Sequence, residues 1–253
     1  MLKRVFRFLL GLLVLTVVGL VVLWLYLDQA AARALTGGIR YAGDVPCTVQ
    51  RVSVSPLDGH VLVAGLAVSN PGGYSQCDIL TLQYARLEAD MASLWGPPVR
   101  VELAEVLGPV VRIEPGPGGT NVQTFVGNCR RRLASPEQRR GQTRLKVNRL
   151  VIRQAVVQLA AGPETPVIQV ELPPVELTNL HGPDGKGVTP GELAAAIVLE
   201  TVRHAAARSA EMQKLLPAES LQALEAPPAP TRETVEKIDR PLERVLPLPG
   251  RRR

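Results

Sequence analysis

Hydrophobic and polar positions follow three regimes along this chain. The first is unbroken: from Phe8 to Leu27 the sequence FLLGLLVLTVVGLVVLWLYL holds twenty residues without a charge. As a helix this stretch covers roughly 30 Å, the hydrocarbon thickness of a bilayer. Lys3, Arg4 and Arg7 precede it, Asp28 follows, and Trp24 and Tyr26 stand near its far end. Basic flanks stay cytoplasmic and amphipathic rings favour the headgroup level, so residues 1–30 read as a transmembrane signal anchor with the N-terminus inside. A cleaved leader is the alternative, with Ala32-Arg33-Ala34 as an A-x-A site, although the apolar core exceeds the usual length of about 7–15 residues. Both readings export the rest of the chain.

The second regime has a period of two. After a connector over residues 31–46, Val52 and Val54 alternate with Ser53 and Ser55, and Pro56-Leu57-Asp58-Gly59 supplies a turn. A strand over 60–69 alternates through Val61 and Val63, then slips one place at Gly65 to Leu66 and Val68, as a bulge would cause. The run over 79–91 slips in the same way, from Leu80, Leu82 and Tyr84 to Ala85, Leu87 and Ala89. Further strands are predicted over 99–103, 110–114, 145–152, 155–159, 167–172 and 175–180, with a short helix over 121–133. Such runs with turns between them predict an antiparallel meander, apolar on one face.

The third regime is helical. Thr189-Pro190-Gly191-Glu192 places Thr at an N-cap, Pro at the first helical position and Glu three residues after the cap. Ala194, Val198, Val202 and Ala205 then recur at helical spacing, and the pattern runs on to Leu216. Residues 217–253, rich in proline and charge and ending in Arg251-Arg252-Arg253, read as a largely disordered tail. The predicted class is α+β, mainly β: an N-terminal transmembrane helix, then an antiparallel, curved β-meander in a β-rich domain over 47–216, partly covered by a C-terminal helix.

Composition narrows the function by exclusion. Apolar residues at 46% exclude a wholly disordered chain. Lys+Arg 29 against Asp+Glu 23 gives +6, and nine of the cations lie between Arg130 and Arg153. Nucleic acid is the obvious partner for such a run. Export counts against it, and so do the five aromatics from Asp28 onward, too few for base stacking. A solvated face is the plain reading of the run, and anionic lipid or envelope components are the functional one.

Candidate chemistry is sparse. Gly116 to Thr120 and Gly185-Lys186-Gly187 lack the flanking pattern of a phosphate loop. His60, His181 and His204 belong to separate elements, and Ser75 does not sit in a nucleophile elbow. Cys47, Cys77 and Cys129 match no metal spacing; they read as small buried hydrophobes, with one disulfide pair as the alternative. No catalytic, cofactor or metal residue is assigned, and the protein reads as a non-enzyme.

Several stretches together resemble the AsmA-like family of bacterial envelope proteins, in its short, single-anchor form. They are Val54-Ser55-Pro56-Leu57-Asp58-Gly59, Val68-Ser69-Asn70-Pro71-Gly72-Gly73-Tyr74, Leu87-Glu88-Ala89-Asp90-Met91-Ala92-Ser93-Leu94 and Thr120-Asn121-Val122-Gln123. The resemblance implies a bacterial inner-membrane protein, single-pass through Phe8 to Leu27, with its bulk in the periplasm. It further implies a lipid-associated or scaffolding role in cell-envelope and outer-membrane biogenesis, with lipid acyl chains as candidate ligands. A membrane-tethered β-sandwich of the water-stress, late-embryogenesis-abundant type is the alternative, and an envelope glycan or lipid hydrolase the third reading.

Overall fold

The computed structural model describes residues 2–208 apart from 91, 94–95, 117–118, 135–136, 161–167 and 183. The predicted tail at 217–253 and the last part of the predicted 189–216 helix therefore lie outside the described residues.

The first helix, α1 (Leu2–Gly43), runs without a break through the residues expected to form a connector. Thr36 Oγ1 donates to Ala32 O and Asp44 N to Arg40 O, so this stretch is helix up to the Asp44 turn, where φ turns positive. Its two halves differ. Leu15 is 71% exposed and Tyr26 61%, whereas Ile39 is 1% exposed and Ala42 fully buried. The expected transmembrane helix is corrected here: among the described residues no helix is long and apolar enough to cross a membrane. From Asp28 onward the helix turns polar on one side and packs on the sheet; Asp28 Oδ1 accepts the Val54 N–H at 2.7 Å.

The sheet follows. Strands β1 (Cys47–Ser55), β2 (His60–Ser69), β3 (Asp78–Ala89) and β4 (Val99–Leu107) pair in succession, all antiparallel. After β5 (Val110–Ile113), a two-residue ribbon, β6 (Pro115–Gly116) with β7 (Gly119–Thr120), leads into α2 (Asn121–Arg132). Then come β8 (Leu145–Arg153), β9 (Val156–Leu159), β10 (Ile168–Glu171), β11 (Val175–Leu180) and α3 (Pro190–Ala206).

The all-antiparallel expectation is corrected. β4 pairs with β8, and β5 with β9, in parallel. Parallel neighbours need a crossover with room for a helix, and α2 occupies that crossover. Thr120 caps α2 in a capping box with Gln123, as Thr189 caps α3 with Glu192. α3 is shorter than predicted, ending at Ala206, where the Ala207 and Arg208 N–H groups fold back onto Arg203 and Ala205 carbonyls.

The register reveals a simpler sheet than the strand count suggests. Tyr84 faces Leu107 and Leu80 faces Val111, so β4 and β5 form one long strand against β3. The same continuity joins β8 to β9 and β10 to β11, leaving six long strands. The three joined strands are interrupted at one level, and β1, β2 and β3, though continuous, skip a pair at that same level. Gln50, Gly65, Gln83, Gly108, Gln154 and Pro173 stand in line from one edge to the other, skipped by the regular pairing. Gly65 and Gly108 have φ of 61°, and Gln154 of 53°. Because neighbouring strands slip together, the register survives and the sheet folds along a crease instead of forming the isolated bulges expected at Gly65 and after Tyr84; Tyr84, expected on the apolar face with Leu80 and Leu82, is 37% exposed. The crease divides the inner face into two fields, both roofed by helices rather than by a second sheet.

Candidate functional site

Beyond the crease the inner face is solid core. Val68, Ile79, Val111 and Ile113 are each 0% exposed, as are Phe125 of α2 and Val198 and Val202 of α3. On the nearer side the sheet presents the same residue types, including Val54, Val61, Val63, Ala85, Leu87 and Val101, but the roof above them is thin. There α1 offers Ala30, Ala31 and Ala34 between the larger Leu27, Leu35 and Ile39, and α3 offers Ala194 between Leu193 and Ile197. A methyl group cannot fill the space that a Leu or Phe would, so an apolar trough of about 340 Å³ remains between roof and floor. Thr143 is the polar side chain in its wall.

The trough is held in shape from two sides. At the α3 N-terminus Arg139, 9% exposed, donates through Nε to Leu133 O at 2.7 Å and pairs with Glu192 at 3.1 Å and Asp184 at 3.7 Å. Arg144 reaches the same Asp184 at 2.9 Å. Burial opposes charge on Asp184, but the Arg144 hydrogen bond and the Lys186 N–H outweigh it and keep its carboxyl below the ordinary range.

At the far side of the crease a buried polar network ties loop 70–77 to α2. Asn121, 0% exposed, accepts the Glu114 and Val122 N–H groups at 2.9 Å through Oδ1, and donates to Asn70 Oδ1 at 2.8 Å and Arg112 O at 2.7 Å. Glu114 in turn accepts from Ser75 Oγ and Arg112 Nε, each at 2.7 Å. Burial pushes its carboxyl up; the bonds from Ser75 and Arg112 more than reverse that, and it lies below the ordinary range. Ser75 is thus spent on holding a carboxylate. Sequence reasoning named Asn70, Ser75 and Asn121 only as parts of motifs; their polarity beside apolar strands was the available signal for a buried network.

The basic run between Arg130 and Arg153 does not form one patch. Its members spread over α2, the following loop and the outer face of β8, and several meet acids distant in sequence. Arg132 pairs with Asp44, Arg149 with Glu176 at 2.7 Å and Arg153 with Glu105 at 3.4 Å. The exposed positions of Arg149 and Arg153 agree with the plain reading of that run as a solvated face, whereas Arg139 is buried.

The histidines also stay apart. His60 lies against Arg86 and Glu88 on the outer face, His181 bonds Asn148, and His204 bonds the Glu200 carbonyl on α3. Among the described residues no group of three or more His, Cys, Asp or Glu could hold a metal ion. All three cysteines are free. Cys47 and Cys129 are buried as expected, with burial pushing their thiols up to about 11 and about 12, whereas Cys77 is exposed. The Gly-rich turn at Gly116 and Gly119 forms the β6–β7 ribbon, with Gly116 packed under the Tyr74 ring.

The predicted apolar sheet face and its covering helix thus come together at the trough. Sequence reasoning missed that α1 supplies most of the roof, since Ala30, Ala31 and Ala34 had been placed at the edge of an anchor and in a connector. No family model matches the chain and no curated protein matches it, so the likeness to the AsmA-like family rests on the quoted residues alone.

Proposed function

We propose that this protein binds the hydrocarbon part of a lipid-like molecule and works without covalent chemistry. The observation that carries this reading is the trough: floored by Val and Leu, roofed by Ala, Leu and Ile, and walled, among the described residues, with one polar side chain, Thr143. An apolar surface of this shape gains free energy by exchanging water for acyl chain at about 25 cal/mol per Å². Its volume, about 340 Å³, falls at the small end of ligand sites, roughly 300–1,000 Å³. The exposed apolar half of α1 belongs to the same reading. Leu9, Leu13, Val18 and Val22 are each at least half exposed, a surface that favours contact with bilayer hydrocarbon over water. The protein is accordingly assigned to the bacterial inner membrane as a lipid-associated envelope component.

The test is direct. The full chain, purified in a mild detergent, is extracted with organic solvent and the extract read by mass spectrometry. Stoichiometric lipid or fatty acid is expected from the natural protein, and a several-fold loss from Ala34→Trp, which fills the trough. An extract free of lipid, or lipid retained unchanged by Ala34→Trp, would overturn the reading and leave scaffolding in its place.

A further inference from the structure

The trough has an open end and a blind end. Along α1 the roof passes from partly exposed Leu27 to Ile39 at 1% exposure. Two strands of the floor show the same gradient. On β2 it runs from partly exposed Val61 to Leu66 at 5%, and on β3 from Leu87 to Leu82, also at 5%. Helix and sheet therefore close on each other at the crease. The open end lies beside Leu27, where α1 leaves the body and its described side chains become exposed.

Size and chemistry select the occupant. Five residue steps separate Val61 from Leu66, and at 3.3–3.4 Å each the depth is roughly 17 Å. That is about half of the ~30 Å hydrocarbon thickness of a bilayer, the share of one leaflet. A peptide would bring N–H and C=O groups into walls whose described side chains offer only the Thr143 hydroxyl, and each group left unpaired would oppose binding. A hydrocarbon chain brings none.

We propose that the trough gauges the length of one hydrocarbon chain, which enters tail first at Leu27 and stops against Ile39, Leu66 and Leu82 at the crease. Its polar end remains outside, beside Thr143. The ligand class is a single-chain amphiphile, such as a fatty acid or a lysolipid. This rests on the lipid-binding reading above and adds a stop to it.

The experiment measures displacement of a fluorescent fatty acid from the full chain by straight-chain saturated fatty acids of increasing length. Affinity is expected to rise roughly fourfold per methylene while the chain still gains wall contact, then to level off abruptly. Leu82→Ala should move the break to longer chains and Leu66→Phe to shorter ones. Should Leu66→Phe fail to fold, Leu82→Ala alone still decides. An affinity that climbs without a break, or a break unmoved by Leu82→Ala, overturns the gauge while leaving lipid binding intact. Failure of every chain length to compete removes both.

Discussion

The two fields of the inner sheet face, one on each side of the crease, are made of the same strands and nearly the same side chains, yet only one is filled. Past the crease Val68, Ile79, Val111 and Ile113 meet a roof containing Phe125, Val198 and Val202, and each of these is 0% exposed. Before it, Val61, Leu87 and Val99 remain partly exposed, and the roof there interrupts its Leu and Ile side chains with Ala30, Ala31, Ala34 and Ala194. The difference lies in the roof. Core and cavity are thus decided by a handful of helix positions, while the sheet supplies one continuous apolar surface to both.

The largest effect should come from attacking the filled field. Phe125→Ala is expected to cost about 3–5 kcal/mol, since a buried aromatic leaves a cavity that rigid neighbours cannot close. Leu87→Ala, facing the trough, removes side-chain surface that water already reaches, and about 1 kcal/mol is expected. Urea denaturation of the full chain and both variants, under one set of conditions, measures the pair. Equal costs would erase the distinction between the fields.

Next in size is the polar network that anchors the filled field. Asn121→Ala leaves the buried Glu114 N–H and Arg112 carbonyl without partners, and about 2–3 kcal/mol should be lost in the same denaturation experiment. Asn148, exposed on the outer face and bonded to Glu102, is the control: Asn148→Ala should cost no more than about 0.5 kcal/mol.

The crease itself predicts a smaller cost. Gly65 has φ of 61°, and a Cβ there would collide with the Gln50 side chain. Gly65→Ala should therefore destabilise by about 1–2 kcal/mol from left-handed backbone strain alone. Adding Gln50→Ala should recover only the collision, because the strain stays. Full recovery in a thermal melt would show that the crease is a packing accident, not a backbone requirement.

How far the sequence disclosed this arrangement depends on whether the cause was local. The α3 start was legible because Thr189, Pro190 and Glu192 act within one turn. The frame slip at Gly65 was legible too, since alternation is a local property, and the second slip was read one step late, after Tyr84, because an aromatic ring passes for an inward side chain although Tyr84 is 37% exposed. That they align with Gly108, Gln154 and Pro173 was not, because register is set between strands and leaves no mark within any one of them. Strand direction is equally silent, so β4 and β8 passed for members of a meander. The roof was missed for a different reason. Alanines 30, 31 and 34 form a helix as readily as a linker on paper, and only the sheet beneath them makes their size matter. The partners of the basic run, such as Glu176 for Arg149, lie many residues away and could not be matched by counting charges.

The smallest expected effect separates the two fields by pH. Glu114 belongs to the filled field. Burial raises its carboxyl, but the Ser75 and Arg112 bonds lower it further, so the folded protein holds the proton less tightly than the unfolded chain does. A depressed carboxylate contributes stability that is fully present above the unfolded value. That contribution disappears as pH falls through the folded value. Stability in urea should therefore fall on acidification, and Glu114→Gln should flatten part of that fall. Glu176, lowered by Arg149 but standing in water, provides the contrast. Its contribution should vanish when salt is raised, because exposed pairs are screened, whereas that of Glu114 should persist. An acid limb unchanged by Glu114→Gln, or erased entirely by salt, would mean that the network behind the filled field carries no charge, and the contrast between the fields would then rest on packing alone.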